Sequence, residues 1–398
     1  MAPEVVVVSA LRSAFGKLGG SLKDTPAVSL AADLMKKILG RANVDPREVD
    51  EIILGNAGQA STGGMGPVVA RQALLTANFP PGVVSVTLDR ACCSGLTSVG
   101  FGFRTIKSGE AQVILAGGVE VMSQTPLLLK QARWGKRLGS QVLEDPLVLS
   151  YFGEPIAKYT GLSAIKQGVD RAEQDWWALT SQQRYAGAEK QRKFEEEIVP
   201  VKVSSKGQEI LFEKDESPRP STTLEKLAEL PTVYGSPTIT PGNAPSLNDG
   251  GAMVLLMSRE KAEDMGLRPL ATILSYTGIC GDPKESPGVP GLAVKKVLGK
   301  SRLSLSGIDL LEINEAFAAV PLVSTKILGE DDPAKIRDLR EKTNVNGGAI
   351  AIGHPLAASG SRILMSLINE LRRRGGGVGV AAICGGLSQG DAAVIRVE

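Results

Sequence analysis

The chain has 398 residues, 42% hydrophobic and 22% charged, with 45 Lys plus Arg against 43 Asp plus Glu. That length exceeds one ordinary core and asks for about two or three packed units, and the near balance of charge argues against a nucleic-acid or membrane-surface protein. The amino-terminal MAPEVVVVSALR has an acid where a signal peptide would be basic, and no segment approaches membrane-spanning length.

Residues 4–9, EVVVVS, form a continuous β-branched run of the kind expected in a strand buried on both faces. Asp24 and Thr25 are placed to cap a following helix in which Leu30, Leu34, Ile38 and Leu39 recur at helical spacing before Gly40. Residues 49–54 (VDEIIL) and 83–88 (VVSVTL) read as further strands, separated by a Gly-rich loop over 55–66 and a short helix around 69–77. Residues 89–95, DRACCSG, then join a strand to an apolar helix over roughly 95–106. Cys92 and Cys93 thus fall at a helix amino terminus, where free backbone N–H groups and the helix dipole favour thiolate over thiol. A strand at 113–116 follows and ends in Gly117 and Gly118.

From 123 to about 250 the rhythm changes: charges cluster at 191–197, prolines appear at 218, 220 and 231, and strand runs shorten. This reads as an inserted, partly helical unit, with Trp176 and Trp177 as packing or interface residues. The organisation expected is 1–122 plus 251–272 as one half, 123–250 as the insertion, and 273–398 as the second half. The halves look like duplicates. Residues 49–54 are echoed by 308–313, IDLLEI, and Ser94-Gly95 with its apolar helix and strand is echoed by Ser359-Gly360 with another helix and the strand 378–383. The run 372–374, all Arg, ends that second helix, where basic charge suits the dipole.

Equivalent loops of two duplicated halves can converge on one cleft. Cys92 would then face His354, the only histidine in the chain, and Cys384, which ends a strand before Gly385 and Gly386. His354 lies between Gly353 and Pro355 in the stretch 346–362, NGGAIAIGHPLAASGSR, a setting that holds a ring in place. On its own, such a histidine could equally be a packing residue. Four cysteines with one adjacent pair make neither a disulfide framework nor a CxxC metal site, and one histidine makes zinc an unlikely ligand set. Free thiols point to a reducing cytoplasm.

Four short motifs, C-x-S-G at 92–95, N-E-A-F at 314–317, G-H-P at 353–355 and C-x-G at 384–386, stand in an order that resembles the thiolases, which make or cleave 3-oxoacyl-CoA. The stretches RSAFGKLGG (12–20), AGGVEVMS (116–123), DESPR (215–219) and NDG (248–250) are similar too, so the likeness covers essentially the whole chain. The resemblance implies an α/β, five-layer αβαβα fold of two duplicated halves, with the inserted loop domain holding coenzyme A. It implies a homodimer or homotetramer, coenzyme A and acyl-CoA as substrates, and no metal or other cofactor.

By the same resemblance Cys92 is the nucleophile and Cys93 fills a variable position. His354 is the base for Cys92, and Cys384 is the acid/base at the α-carbon. Asn314 positions an oxyanion-hole water, and the backbone N–H groups of Cys92 and Gly386 form the second hole. Candidates for the substrate pocket are Tyr159, Thr160, Ser286, Pro245, Ser246 and Phe317. Tyr159-Thr160 stand where short-chain thiolases carry His-Met, Ser286 where they carry a methionine, and Pro245 where they carry a pantetheine-contacting serine. Those changes imply a roomier and more polar pocket, for an acyl chain that is longer, branched or functionalised. Three rivals are weighed: a ketoacyl synthase, which would use two histidines; a Cys/His/Asn hydrolase, which gives Cys384 no task; and a non-catalytic scaffold, although all four motifs are intact. An acetyltransferase confined to acetoacetyl-CoA is the nearest alternative.

Overall fold

Val5–Arg12 (β1), the β-branched run, is buried along its whole length. Its side chains alternate between two cores: Val5, Val7 and Ala10 enter one, and Val6, Val8 and Leu11 the other. This is why the run is continuous rather than alternating in hydrophobicity. The computed structural model describes residues 2–58, 68–129, 135, 143–151, 153–205 and 207–398; positions 59–66 of the expected Gly-rich loop lie outside them.

Helix α1 (Ala27–Ala42) begins after Pro26 and has no side-chain cap. Asp24 and Thr25 therefore do not cap it: Pro26, with φ fixed at −59°, stands between them and the first turn. The first half continues through β2 (Glu51–Gly55), α2 (Val69–Thr76), β3 (Val84–Leu88), α3 (Ser94–Ser108) and β4 (Val113–Val121), and is completed by β5 (Asn248–Ser258). Strand β4 runs further into its glycines than the sequence suggested, because they pair directly with β5: Gly117 with Met253 and Gly118 with Ala252, and the pairing continues to Glu120 with Gly250. The second half comprises β6 (Ala271–Cys280), α6 (Val289–Ser301), β7 (Leu310–Ile313), α7 (Ala319–Gly329), α8 (Ser359–Arg373), β8 (Gly377–Gly385) and β9 (Gln389–Val397).

The strand orders show the duplication. In the first half the order is β3-β2-β4-β5-β1, with β2 parallel to β3 and β4, and β5 antiparallel to both β4 and β1. In the second it is β7-β8-β9-β6, with β7 parallel to β8, and β9 antiparallel to both β8 and β6. Strands β1 and β6 pair with one another from Val5↔Ile273 to Val7↔Ala271, so the two half-sheets are continuous.

The cores place the layers. Helices α1 and α2 cover one face of the first half-sheet, α3 and α8 lie together between the halves, and α6 covers the far face of the second. Where α3 meets α8, a Cβ on Gly95 would lie 2.4 Å from the Ala357 carbonyl oxygen, and one on Gly360 would lie 2.3 Å from the Leu96 nitrogen. The paired glycines of the repeat thus let the central layer close backbone to backbone.

Between β4 and β5 the chain carries α4 (Ile156–Lys166) and α5 (Arg171–Lys190). Among the described residues its buried side chains join the second half: Ala164, Val169, Trp177 and Ala178 pack with Ala318, Ala319, Leu322 and Val323. Trp177 is buried and its indole N–H donates to Glu315 at 3.0 Å, whereas Trp176 is exposed. A second tie is the fully buried Arg12, whose guanidinium takes Asp215 in a two-pronged contact at 2.7 and 2.9 Å and Glu197 at 2.9 Å. Burying three charges together is tolerable only with such complete pairing.

Candidate active site

Cys92 precedes the first turn of α3, and Ala91 before it has φ 50°, a left-handed conformation at the tip of a sharp strand-to-helix turn. Ser94 braces the turn: its Oγ accepts from Arg90 N at 2.8 Å and donates to Ala91 O at 2.6 Å. Cys92 is half-buried, while Cys93 is fully buried in the central core. From the other half comes His354, whose Nε2 lies 3.2 Å from Cys92 Sγ and whose Nδ1 lies 2.6 Å from Ser359 Oγ.

The loop that carries His354 is held by Asn248. Its Oδ1 accepts from His354 N at 2.9 Å, and its Nδ2 donates to Gly16 O at 2.8 Å and Ser217 Oγ at 2.7 Å. Four separate sequence stretches, around residues 16, 217, 248 and 354, therefore meet at one amide. Buried Glu120 fastens the same loop to the first half, accepting from Ala57 N, Gly58 N and Ala357 N at 2.8–3.3 Å, and burial raises its carboxyl to about 7.

Electrostatics correct one expectation. The helix amino terminus was expected to favour the Cys92 thiolate, but burial pushes this thiol well up, and the nearby Cys384 adds to the effect. Burial also drives the His354 imidazole down to about 3, helped by Arg362. The dehydration of a buried ion outweighs a half-charge dipole. Both shifts favour the neutral thiol and the neutral imidazole over the ion pair.

Cys384 is buried among Val289, Ile313 and Val320, with Ala316 and Phe317 against it, and burial raises its thiol to about 12. Asn314 ends β7 with its Oδ1 accepting from Arg362 Nη2 at 3.3 Å, and its Nδ2 is buried without an acceptor among the described residues. An orphan buried donor costs about 1–3 kcal/mol, which suits a group kept for a water or an oxyanion. Arg362 is itself buried against Glu312 at 3.5 Å, and burial lifts that carboxyl to about 8.

A cavity of about 350 Å³ opens over Cys92 and His354. Pro245, Ser246 and Phe317 line it, as do Leu149, Ile156 and Arg219, the one charged side chain of the lining among the described residues. Tyr159, Thr160 and Ser286 are not in the lining, and the wall is mainly apolar, so the expected polar pocket is not formed there. The reason is the pitch of α4: its amino-terminal residues Ile156 and Ala157 face the cavity, and Thr160 lies one turn below them. Thr160 is buried with no partner for its hydroxyl, Tyr159 has the Lys284 ammonium 5.9 Å from its ring centre, and Ser286 is buried in the turn Pro283–Gly288.

The Cys92 thiol and the His354 imidazole, from the two halves, meet at one cleft, and the Cys384 thiol is buried behind Ala316 and Phe317 of its wall. The family model of the thiolase amino-terminal domain matches residues 5–260, and that of the thiolase carboxy-terminal domain matches 267–397. The chain belongs to the thiolase family. It is 41% identical to an acetyl-CoA acetyltransferase of Cupriavidus necator, over 99% of each chain, and 42% identical to one of Pseudomonas aeruginosa, over 98% of each. Among solved structures, the acetyl-CoA acetyltransferase of Bacillus anthracis superposes with a TM-score of 0.94 at 39% identity, covering 100% of this chain and 99% of that one. Human mitochondrial 3-ketoacyl-CoA thiolase gives 0.93 at 39% identity with the same coverage, and its complex with CoA gives 0.92 at 38%, covering 100% of this thiolase and 98% of that chain. This thiolase has the thiolase fold and is an acyltransferase.

Sequence reasoning missed Ser359, Asn248 and Glu120 as members of the site. Ser359 was visible only as an element of the repeat, and Asn248 and Glu120 only as parts of family-like stretches.

Proposed function

We propose that this thiolase cleaves 3-oxoacyl-CoA with coenzyme A, and runs the reverse Claisen condensation, through an acyl-enzyme on Cys92. The observation that carries this reading is His354 Nε2 at 3.2 Å from Cys92 Sγ, with Cys384 close by from the other half. In cleavage, Cys92 Sγ gives its proton to His354 and attacks the 3-oxo carbon. The C2–C3 bond breaks, its electron pair stays on C2, and Cys384 supplies the proton that completes acetyl-CoA. The thiol of coenzyme A then gives its proton to the Cys384 thiolate and attacks the thioester; Cys92 leaves, taking back the proton held by His354, and the shortened acyl-CoA is released. Asn314, through a water, and the N–H groups of Cys92 and Gly386 serve the two developing oxyanions; one such donor is typically worth about 3 kcal/mol.

The apolar cavity suits the pantetheine arm, with Arg219 left for the phosphates. The acyl chain is longer, branched or functionalised rather than that of plain acetoacetyl-CoA, a reading that rests on the departures from the short-chain pattern at Tyr159, Thr160, Pro245 and Ser286. The enzyme works as a homodimer or homotetramer in the cytoplasm. Support for assembly comes from the edge strand β3, which exposes Val84 and Val86 beside an unpaired backbone edge; light scattering on the purified protein tests it. The functional test compares thiolytic kcat/KM across acetoacetyl-CoA, medium-chain and carboxyl- or aryl-bearing 3-oxoacyl-CoAs. Acetoacetyl-CoA preferred by about tenfold, roughly 1.4 kcal/mol, would refute the substrate assignment, and release of coenzyme A and acetate from acetyl-CoA with no acetoacetyl-CoA formed would indicate a hydrolase.

A further inference from the structure

Arg90 lies two residues before the nucleophile, and its side chain crosses to the turn that follows Cys384. Its Nε donates to Gln389 Oε1 at 3.0 Å, and its Nη1 donates to Asp391 Oδ1 at 2.5 Å and Thr97 Oγ1 at 2.9 Å. Gln389 passes the contact on: its Nε2 donates to the Gly386 carbonyl at 3.1 Å. Asp391 is fully buried and also takes the Thr97 hydroxyl, so its charge is paired on both oxygens. The two backbones touch as well, for a Cβ on Gly385 would lie 2.7 Å from Arg90 O and 2.9 Å from Cys93 Sγ.

Both turns hold strained residues. Ala91 has φ 50°, and Leu387 and Ser388 have φ 59° and 54°, two consecutive L-residues in the left-handed region. Such conformations persist only where the surroundings over-determine them. At Leu387 and Ser388 the backbone is held by Gly281 N donating to Ser388 O at 2.8 Å, and the side chain that reaches back into the turn is that of Gln389, whose amide oxygen is held by Arg90.

We propose that Arg90 is a positioning residue, holding the Gly385–Ser388 turn against the Cys92 turn so that the Cys92 and Gly386 N–H groups converge on one thioester oxygen. The inference rests on the reading of those two amides as an oxyanion hole. It requires the guanidinium specifically: Nε and Nη1 serve different partners from one rigid plane, which a lysine ammonium cannot reproduce.

The experiment measures thiolysis of 3-oxohexanoyl-CoA by wild type, Arg90→Gln, Arg90→Lys, Gln389→Ala, and Arg90→Gln combined with Leu387→Gly and Ser388→Gly. Arg90→Gln should lower kcat about 100-fold, the scale of one lost oxyanion donor, with KM within about threefold. Arg90→Lys should recover thermal stability but not kcat. The two glycines should restore about tenfold of kcat to Arg90→Gln, since glycine adopts positive φ without steric cost; a merely structural role predicts no such rescue. Gln389→Ala, which keeps the buried ion pair, should also lose kcat and covers the case in which Arg90→Gln does not fold. A kcat within about threefold of wild type in Arg90→Gln or in Gln389→Ala overturns the proposal, as does full recovery by lysine. A wild type that cleaves no 3-oxoacyl-CoA overturns the functional reading itself, and this proposal with it.

Discussion

Ser359 Oγ lies 2.6 Å from His354 Nδ1 and 3.1 Å from the Pro355 carbonyl oxygen. A carbonyl only accepts, so the hydroxyl proton goes to Pro355 and Ser359 Oγ is left to accept from Nδ1–H. That tautomer leaves a lone pair on Nε2, facing the Cys92 thiol. Ser359→Ala frees the ring to take the other tautomer. It should slow acylation about tenfold, a part of the 10²–10⁴ typical of a general base, with little change in KM, while Ser359→Thr keeps most of the rate. Stopped-flow acylation measures both.

Because burial holds the imidazole near 3 and the thiol high, acylation kcat/KM should be flat as pH falls from about 8 to about 5. A midpoint near 6.5 would show a solvated imidazole. Stability carries the complementary sign. The unfolded imidazole titrates at about 6.5 and the folded one lower, so between those values the unfolded chain binds more protons. Stability is therefore lost as pH falls through that window, and His354→Gln should remove this part of the slope in urea unfolding at pH 7 and 4.5.

The two thiols should separate on mutation. Digestion after incubation with acetoacetyl-CoA should place the acyl mass on Cys92 rather than Cys93 within the peptide 91–104, and Cys92→Ser should abolish it. Cys384→Ala should still acylate but should not exchange the α-protons of bound acyl-CoA with solvent, whereas His354→Ala should impair both steps. Proton exchange at the wild-type rate in Cys384→Ala would remove its role as base.

Asn314→Asp replaces the orphan donor Nδ2 with an acceptor of the same shape and keeps a partner for Arg362. Turnover should fall about 10²–10³-fold with a melting temperature near that of wild type. Unchanged turnover would mean that Nδ2 faces neither water nor oxyanion during the reaction.

Arg219 is the charged residue of an otherwise apolar and neutral cavity lining. Arg219→Ala should raise KM for coenzyme A several-fold and leave kcat alone, as expected for binding that is equal in ground and transition states. The effect should shrink at high salt, since the interaction is between exposed charges.

Much of this was legible in the chain because it is carried by local pattern. The repeat of 49–54 at 308–313 and of Ser94-Gly95 at Ser359-Gly360 marks equivalent elements of the two half-sheets, and the valines of β1 announce a strand with two buried faces. What stayed hidden depends on contacts between distant segments. Asn248 joins stretches more than a hundred residues apart, and nothing near it in sequence says so. The protonation state of Cys92 was misread because a helix terminus can be seen in sequence, while the dehydration that outweighs it is a property of packing. Tyr159, Thr160 and Ser286 were assigned to the pocket by position in a pattern, whereas the cavity lining takes Ile156 and Ala157, one turn before Thr160, and leaves Ser286 in the turn Pro283–Gly288.

The glycine contacts between α3 and α8 bear on how substrate can enter. At Gly95 and Gly360 the seam between the halves is peptide against peptide, and around them it is filled by Leu96, Val99, Ile363 and Leu364. Parting the halves would break the central layer all at once, so the cleft cannot open as a jaw. In the proposed reaction acyl-CoA then has to reach Cys92 along the cavity lined by Leu149 and Ile156, without the two halves moving apart.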